Sequence, residues 1–223
     1  ARPSYKVTTG APGSDVAAET AAAFAAASLV FKGVDDAYSG TLLSHAKSLF
    51  NFADSYRGVY SDSVPAAASF YRSNGYADEL PWAAVWLYRA SADQNYLNRA
   101  ISLYNEGGNA YRTGFGWDEK SAGATVMLAR FTSDQSYKQT IQGYCDNLLY
   151  NQQRTPKGLI YMGEWGSLRI MADAMFICMM ASDLGINQAA YRSMVKQQMG
   201  YALGDTGFSY VVGVGSSYPT HAH

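Results

Sequence analysis

Two adjacent carboxylates, Asp78 and Glu79, open an apolar segment, and a third, Asp118, opens the corresponding segment one repeat later. The turn Ser73-Asn74-Gly75 stands just ahead of the pair. Calcium takes about six to eight oxygen ligands from carboxylates, carbonyls and water. Ser73, Asn74, Gly75, Asp78, Glu79 and Asp118 are therefore candidate calcium ligands, with Gly75 giving the turn its backbone freedom. The plainer alternative is that Asp78 and Asp118 cap helices while Glu79 favours the helix dipole. The pair suits acid–base catalysis less well, because neighbours at a helix start diverge by about 100°. A second cluster is Gly163-Glu164-Trp165-Gly166-Ser167-Leu168-Arg169, which sets Trp165 at a helix entrance with Arg169 one turn on. An aromatic face suits the C–H face of a pyranose, and a guanidinium donates to hydroxyls. The alternative here is a core Trp with a structural Arg. Tyr71 is a further aromatic candidate, whereas Trp82, Trp86 and Trp117 are read as core or helix-packing residues.

These residues sit on a repeated helical unit. Asp78, Glu79 and Pro81 form a helix start, and Trp82, Val85, Trp86 and Leu87 recur at helical spacing. Val126, Leu128, Arg130, Asp134, Gln135 and Tyr137 repeat Val85, Leu87, Arg89, Asp93, Gln94 and Tyr96 at an interval of 41 residues. A polar break and then a Tyr opening a second helix recur at Asp35–Tyr38, Asp93–Tyr96, Asp134–Tyr137 and, more loosely, Asn187–Tyr191. Such units predict four αα-hairpins, which could form an open solenoid or a closed ring. The spacing predicts helices over 17–31, 38–56, 79–91, 95–105, 119–132, 135–151, 167–183 and 188–203, with Ser14 and Asp15 capping the first. Leu43, Ala46, Leu49, Phe50 and Ala53 would form the buried face of the second helix, and Met171, Ala174, Met175, Cys178 and Met179 that of the seventh. Beyond residue 203 the tail reads as extended.

With 48% apolar and 16% charged residues, disorder is excluded, and 1–223 is read as a single domain. A net charge of −1 gives no basic footprint for nucleic acid. The 18 Tyr and 4 Trp beside so little charge fit a neutral planar ligand such as sugar better than a phosphate, although large cores also use aromatics. No apolar run reaches the roughly 18 residues of a membrane span, so no membrane partner is expected. No signal peptide is expected from its opening residues. Cys145 and Cys178 fall inside predicted helices, and the usual burial of Cys predicts free thiols rather than a disulfide.

Five ordered stretches resemble the catalytic domain of glycoside hydrolase family 9. They are Pro12-Gly13-Ser14-Asp15 with Glu19-Thr20-Ala21-Ala22-Ala23; Gly75-Tyr76-Ala77-Asp78-Glu79-Leu80 with Trp82; Trp117-Asp118-Glu119-Lys120; Trp165-Gly166-Ser167-Leu168-Arg169; and Tyr201-Ala202-Leu203-Gly204-Asp205 running into Ser209-Tyr210-Val211-Val212-Gly213. The resemblance implies an all-α (α/α)6 barrel, of which this chain would cover about four hairpins as an internal fragment. It implies a secreted cellulase of the termite or gut type that cuts β-1,4-glucan internally with inversion. The family's catalytic carboxylates would lie outside, in an Asp-Ala-Gly-Asp motif upstream and a Glu downstream. His223 matches an active-site histidine that contacts substrate; Trp165 and Arg169 match substrate contacts, with Tyr71 a weaker candidate. Some members bind structural calcium through the equivalents of the Ser/Gly turn, Asp78-Glu79 and Asp118, and none needs a cofactor for chemistry. Thr113 stands where some members carry another stacking Trp. The competing expectation is a non-catalytic carbohydrate-binding or helical scaffold protein.

Overall fold

A computed structural model describes residues 3–221. His223 and its expected role therefore lie outside the described residues. Those residues form ten α-helices and no strand: α1 (Ser14–Phe31), α2 (Asp36–Ser55), α3 (Tyr60–Ser63), α4 (Pro65–Ala68), α5 (Glu79–Ser91), α6 (Gln94–Glu106), α7 (Ser121–Phe131), α8 (Gln135–Tyr150), α9 (Ser167–Asp183) and α10 (Gln188–Leu203). They divide into two compact units. The first runs through residue 113 and adds 117–128; the second holds 114–116 and everything from 129 onward.

In the first unit α1 packs on α2 and α5, and α5 packs on α6. Alanine makes this possible: Ala17, Ala18, Ala21, Ala22 and Ala25 are buried on α1, and their small methyl side chains let helices approach closely. α1 is also the one helix among the described residues long and apolar enough to cross a membrane, which the sequence expectation missed; its alanines are instead buried against its neighbours. The buried face of α2 is Leu42, Ala46, Phe50 and Ala53, one position off the predicted Leu43 and Leu49, which are half-buried.

The repeated Asp has a local explanation. Asp35 accepts from Tyr38 N, Asp93 from Asn95 N and Asp134 from Ser136 N, so each caps the second helix of its hairpin. Asn187 makes no such bond and sits at φ 39°. Ser14 and Asp15 do not act as predicted. The N-cap of α1 is Gly13, with no side-chain cap bond, and Ser14 and Asp15 lie inside the helix. Ser14 Oγ donates to Ala53 O and accepts from Gly58 N, and Asp15 accepts from Tyr60 N. Ser14 fastens α1 to the end of α2, and Asp15 fastens it to the start of α3.

An ion cluster links α2 to α6. Asp54 bonds Arg99 at 2.6 Å and Arg57 at 2.8 Å, and Arg57 also bonds Glu106. Burial pushes the Asp54 carboxyl up, but the hydrogen bonds from Arg99 and Arg57 outweigh it and hold the group below the ordinary carboxylate value. A depressed folded pKa stabilises above the unfolded value of about 3.9 and is lost as pH falls through the folded value. Asp54→Asn should cost about 1–3 kcal/mol near neutrality and flatten the acid limb of melting temperature against pH below about 4. An unchanged acid limb would contradict the assignment.

In the second unit α9 packs on α8 and α10. Met171, Ala174, Met175 and Cys178 are buried as predicted, while Met179 is half-buried. Cys145 of α8 and Cys178 of α9 form a disulfide, overturning the expectation of free thiols. Both face inward where the helices meet, with Cα atoms 5.6 Å apart, within the range a disulfide spans. The tail beyond α10 is not extended. It folds back in turns, with Tyr210 N donating to Ala202 O and Ser209 N to Ser217 O.

Candidate functional site

The first unit holds the acidic cluster. Asp78 and Glu79 are 1% and 2% exposed at the start of α5. Neither capping role predicted for the aspartates occurs. Asp78 makes no side-chain bond to its own helix; its Oδ2 accepts from Lys120 N at 2.6 Å and its Oδ1 lies 3.5 Å from Arg112. Asp118 stands ahead of α7 and accepts from Asn74 N at 3.2 Å and Asn74 Nδ2 at 2.6 Å. The side chain over the first turn of α7 is Glu119, which accepts from Ser121 N. Ser73 Oγ donates to Gly75 O at 2.8 Å, closing the turn.

Ser73, Glu79 and Asp118 line one cavity of about 290 Å³, together with Asp15, Glu19 and Trp117. Asn74 and Gly75 line a neighbouring cavity of about 350 Å³ that also holds Arg57 and Arg112. Three predicted ligands thus share a space, and Asp78 turns to Lys120 and Arg112 instead. Among the described residues no three His, Cys, Asp or Glu side chains are arranged to hold a metal outright. One observation nevertheless suits a cation: Glu79 Oε2 is buried without a hydrogen-bond partner. Burial first, then the charge of Asp78, pushes the Glu79 carboxyl up to about 9. Burial, then Glu119, also raises Asp78. Oxygen donors, an orphaned carboxylate oxygen and excess negative charge are what a hard divalent cation relieves.

Arg112, Glu119 and Lys120 escaped the sequence reading as site residues. Arg112 bonds Glu119 at 2.9 Å, and Lys120 Nζ bonds Glu19 at 2.9 Å while donating to Trp117 O. Trp117 is a further correction: it is 51% exposed, edge-on to Tyr71 at 5.5 Å, rather than a core residue. Tyr71 is exposed and its carbonyl accepts from the Tyr60 hydroxyl. Its predicted contact role thus has an aromatic neighbour. Only the adjacency of Trp117 to the Asp118 motif could have signalled it.

The second unit carries Trp165 and Arg169. Trp165 is 84% exposed, which excludes a core role. It stands just before α9, where Gly166 takes φ 69° as N-cap. A Cβ on Gly166 would lie 3.3 Å from Arg169 Nε and Nη2, so glycine both permits the turn and leaves room for the guanidinium. Arg169 Nη1 lies 3.7 Å from Asp173 Oδ2. An open indole with a seated guanidinium one turn away matches the chemistry of a sugar contact. His221 is exposed, with its Nδ1 3.1 Å from Thr220 Oγ1.

The whole chain, residues 1–223, matches Glycosyl hydrolase family 9. The chain belongs to that family. The solved endoglucanase of the termite Nasutitermes takasagoensis is 54% identical with a TM-score of 0.96, covering 99% of this chain and 51% of that one. The Cel9M cellulase of C. cellulolyticum, solved in complex with cellobiose, is 31% identical with a TM-score of 0.87, covering 96% and 50%. Endoglucanase B of Cellulomonas fimi is 42% identical over 100% of this chain and 23% of its own length. The chain thus spans about half, or less, of the relatives it matches. The fold class is the all-α (α/α)6 barrel of family 9, matched over about half its length. That family match, rather than the repeat, decides between ring and solenoid.

Proposed function

We propose that this chain is part of a family 9 domain that hydrolyses internal β-1,4-glucosidic bonds of cellulose and related glucans with inversion. The observation that carries the reading is the match of residues 1–223 to the family, with Trp165 and Arg169 open to solvent at the start of α9. Cel9M, a relative, was solved with cellobiose, which supports a β-glucan as ligand. Trp165 stacks on a glucosyl ring, Arg169 donates to its hydroxyls, and Tyr71 with Trp117 adds aromatic surface.

Inversion needs an acid and a base about 6.5–9.5 Å apart with a water between them. Asp78 and Glu79 do not fill these roles, because both are buried and adjacent. The acid and base are assigned to family motifs outside residues 1–223, with His223 contacting substrate. The chain alone is then expected to show no turnover. Calcium would be held by Glu79, Asp118 and Ser73, with Asp78, Asn74 and Gly75 around them, and its contribution is structural: it supplies positive charge against the buried carboxylates. The Cys145–Cys178 disulfide supports secretion, because disulfides persist in oxidising compartments.

The reading is tested by reducing-sugar release from carboxymethylcellulose by the full family domain carrying this chain. Release is expected; a folded full domain that releases none would leave the scaffold reading.

A further inference from the structure

A cavity of about 350 Å³ in the second unit borders Arg169 of the site described above and reaches two tyrosines that the site has not used. It is lined by Leu159, by Gly166, Ser167 and Arg169 at the start of α9, and by Tyr201 and Tyr210. The tyrosine rings stack 5.9 Å apart at 6°. Tyr201 is buried and Tyr210 is 46% exposed. Tyr210 is held in place: its N donates to Ala202 O at 2.9 Å, and Phe208 meets its ring edge-on at 5.5 Å. The one cation on the wall, Arg169, already faces Asp173. An aromatic and aliphatic lining with neutral hydroxyls suits a polyol with an apolar face rather than an anion. The volume lies at the low end of the roughly 300–1,000 Å³ typical of small-molecule pockets, enough for a single ring rather than a chain.

We propose that this cavity takes one glucosyl ring of the glucan, its C–H face on Tyr210 and its hydroxyls on Arg169, as a contact additional to Trp165. The inference rests on the proposed glucan-binding function. It makes Tyr210 a residue that sets how many sugar units the protein grips.

The test is calorimetric titration of the 223-residue chain and its variants with cellotriose, cellotetraose and cellohexaose. Tyr210→Ala should weaken cellohexaose binding about two- to ten-fold, the range an aromatic contact supplies, while Tyr210→Phe should stay within about two-fold of the parent. Tyr210→Leu, which keeps volume without the aromatic face, should behave as Tyr210→Ala, and is read instead if circular dichroism shows the alanine variant unfolded. Binding lost in Trp165→Ala but unchanged in Tyr210→Ala or Tyr210→Leu would overturn this inference and leave the glucan reading standing. No binding of any oligosaccharide by the folded parent chain would overturn both.

Discussion

Calcium added to the chelated protein should raise its melting temperature by about 5–10 °C. Calcium at 100-fold over its dissociation constant stabilises the native state by about 2.7 kcal/mol. A chain of this length gains about 2–4 °C per kcal/mol. The expectation comes from Glu79, buried with one oxygen unpartnered, and from Asp118 and Ser73 beside it. Glu79→Gln removes the charge that needs a cation while keeping the shape of the side chain. It should abolish the calcium response and, because burial and Asp78 already hold Glu79 neutral without a cation, melt in chelator close to the parent. Asp118→Asn should weaken the response, because Asp118 is also bonded to Asn74. Identical melts of the parent in calcium and in chelator would remove the metal assignment and leave Glu79 as a neutral acid, the state its raised pKa of about 9 already favours.

Replacing both members of the disulfide, as Cys145→Ala with Cys178→Ala, should cost about 3–4 kcal/mol and lower the melting temperature by about 6–16 °C. The bridge joins α8 to α9 across 33 residues, so its chief effect is to restrict the unfolded chain. Both sulfurs are buried, and each alanine keeps only the Cβ already present, so the sulfur volume is left as a small cavity that adds to the cost. The pairing itself is checked by thiol labelling in guanidinium without reductant. No label should be taken up; two labelled thiols per chain would contradict the bridge.

What the sequence made legible was what local chemistry decides. Asp35, Asp93 and Asp134 cap helices because each partner N–H lies two or three residues on, and the repeat exposes that spacing. The Gly166 entrance to α9 was readable for the same reason, whereas only the fold decides that Trp165 is open rather than core. Long-range partners were not. Asp78 looks like a cap in sequence, yet it is bonded 42 residues away at Lys120 N. Ser14 resembles a cap and instead ties down the end of α2. Cys145 and Cys178 are two apolar positions on two helices until those helices are packed, and nothing in either helix marks the other as its neighbour. Trp117 follows a glycine-rich loop and reads in sequence as a core or helix-packing residue; only the fold leaves it exposed beside Tyr71.

The central claim is endo-hydrolysis of β-1,4-glucan with inversion by the family 9 domain that carries this chain. Proton NMR of cellopentaose, followed within the first minutes after adding that full domain, tests it most directly, because it reports bond cleavage and the configuration of the new reducing end together. The α-anomer should appear first and then mutarotate, and Trp165→Ala should slow its appearance. A folded domain that leaves cellopentaose intact, or that releases the β-anomer first, would contradict the claim.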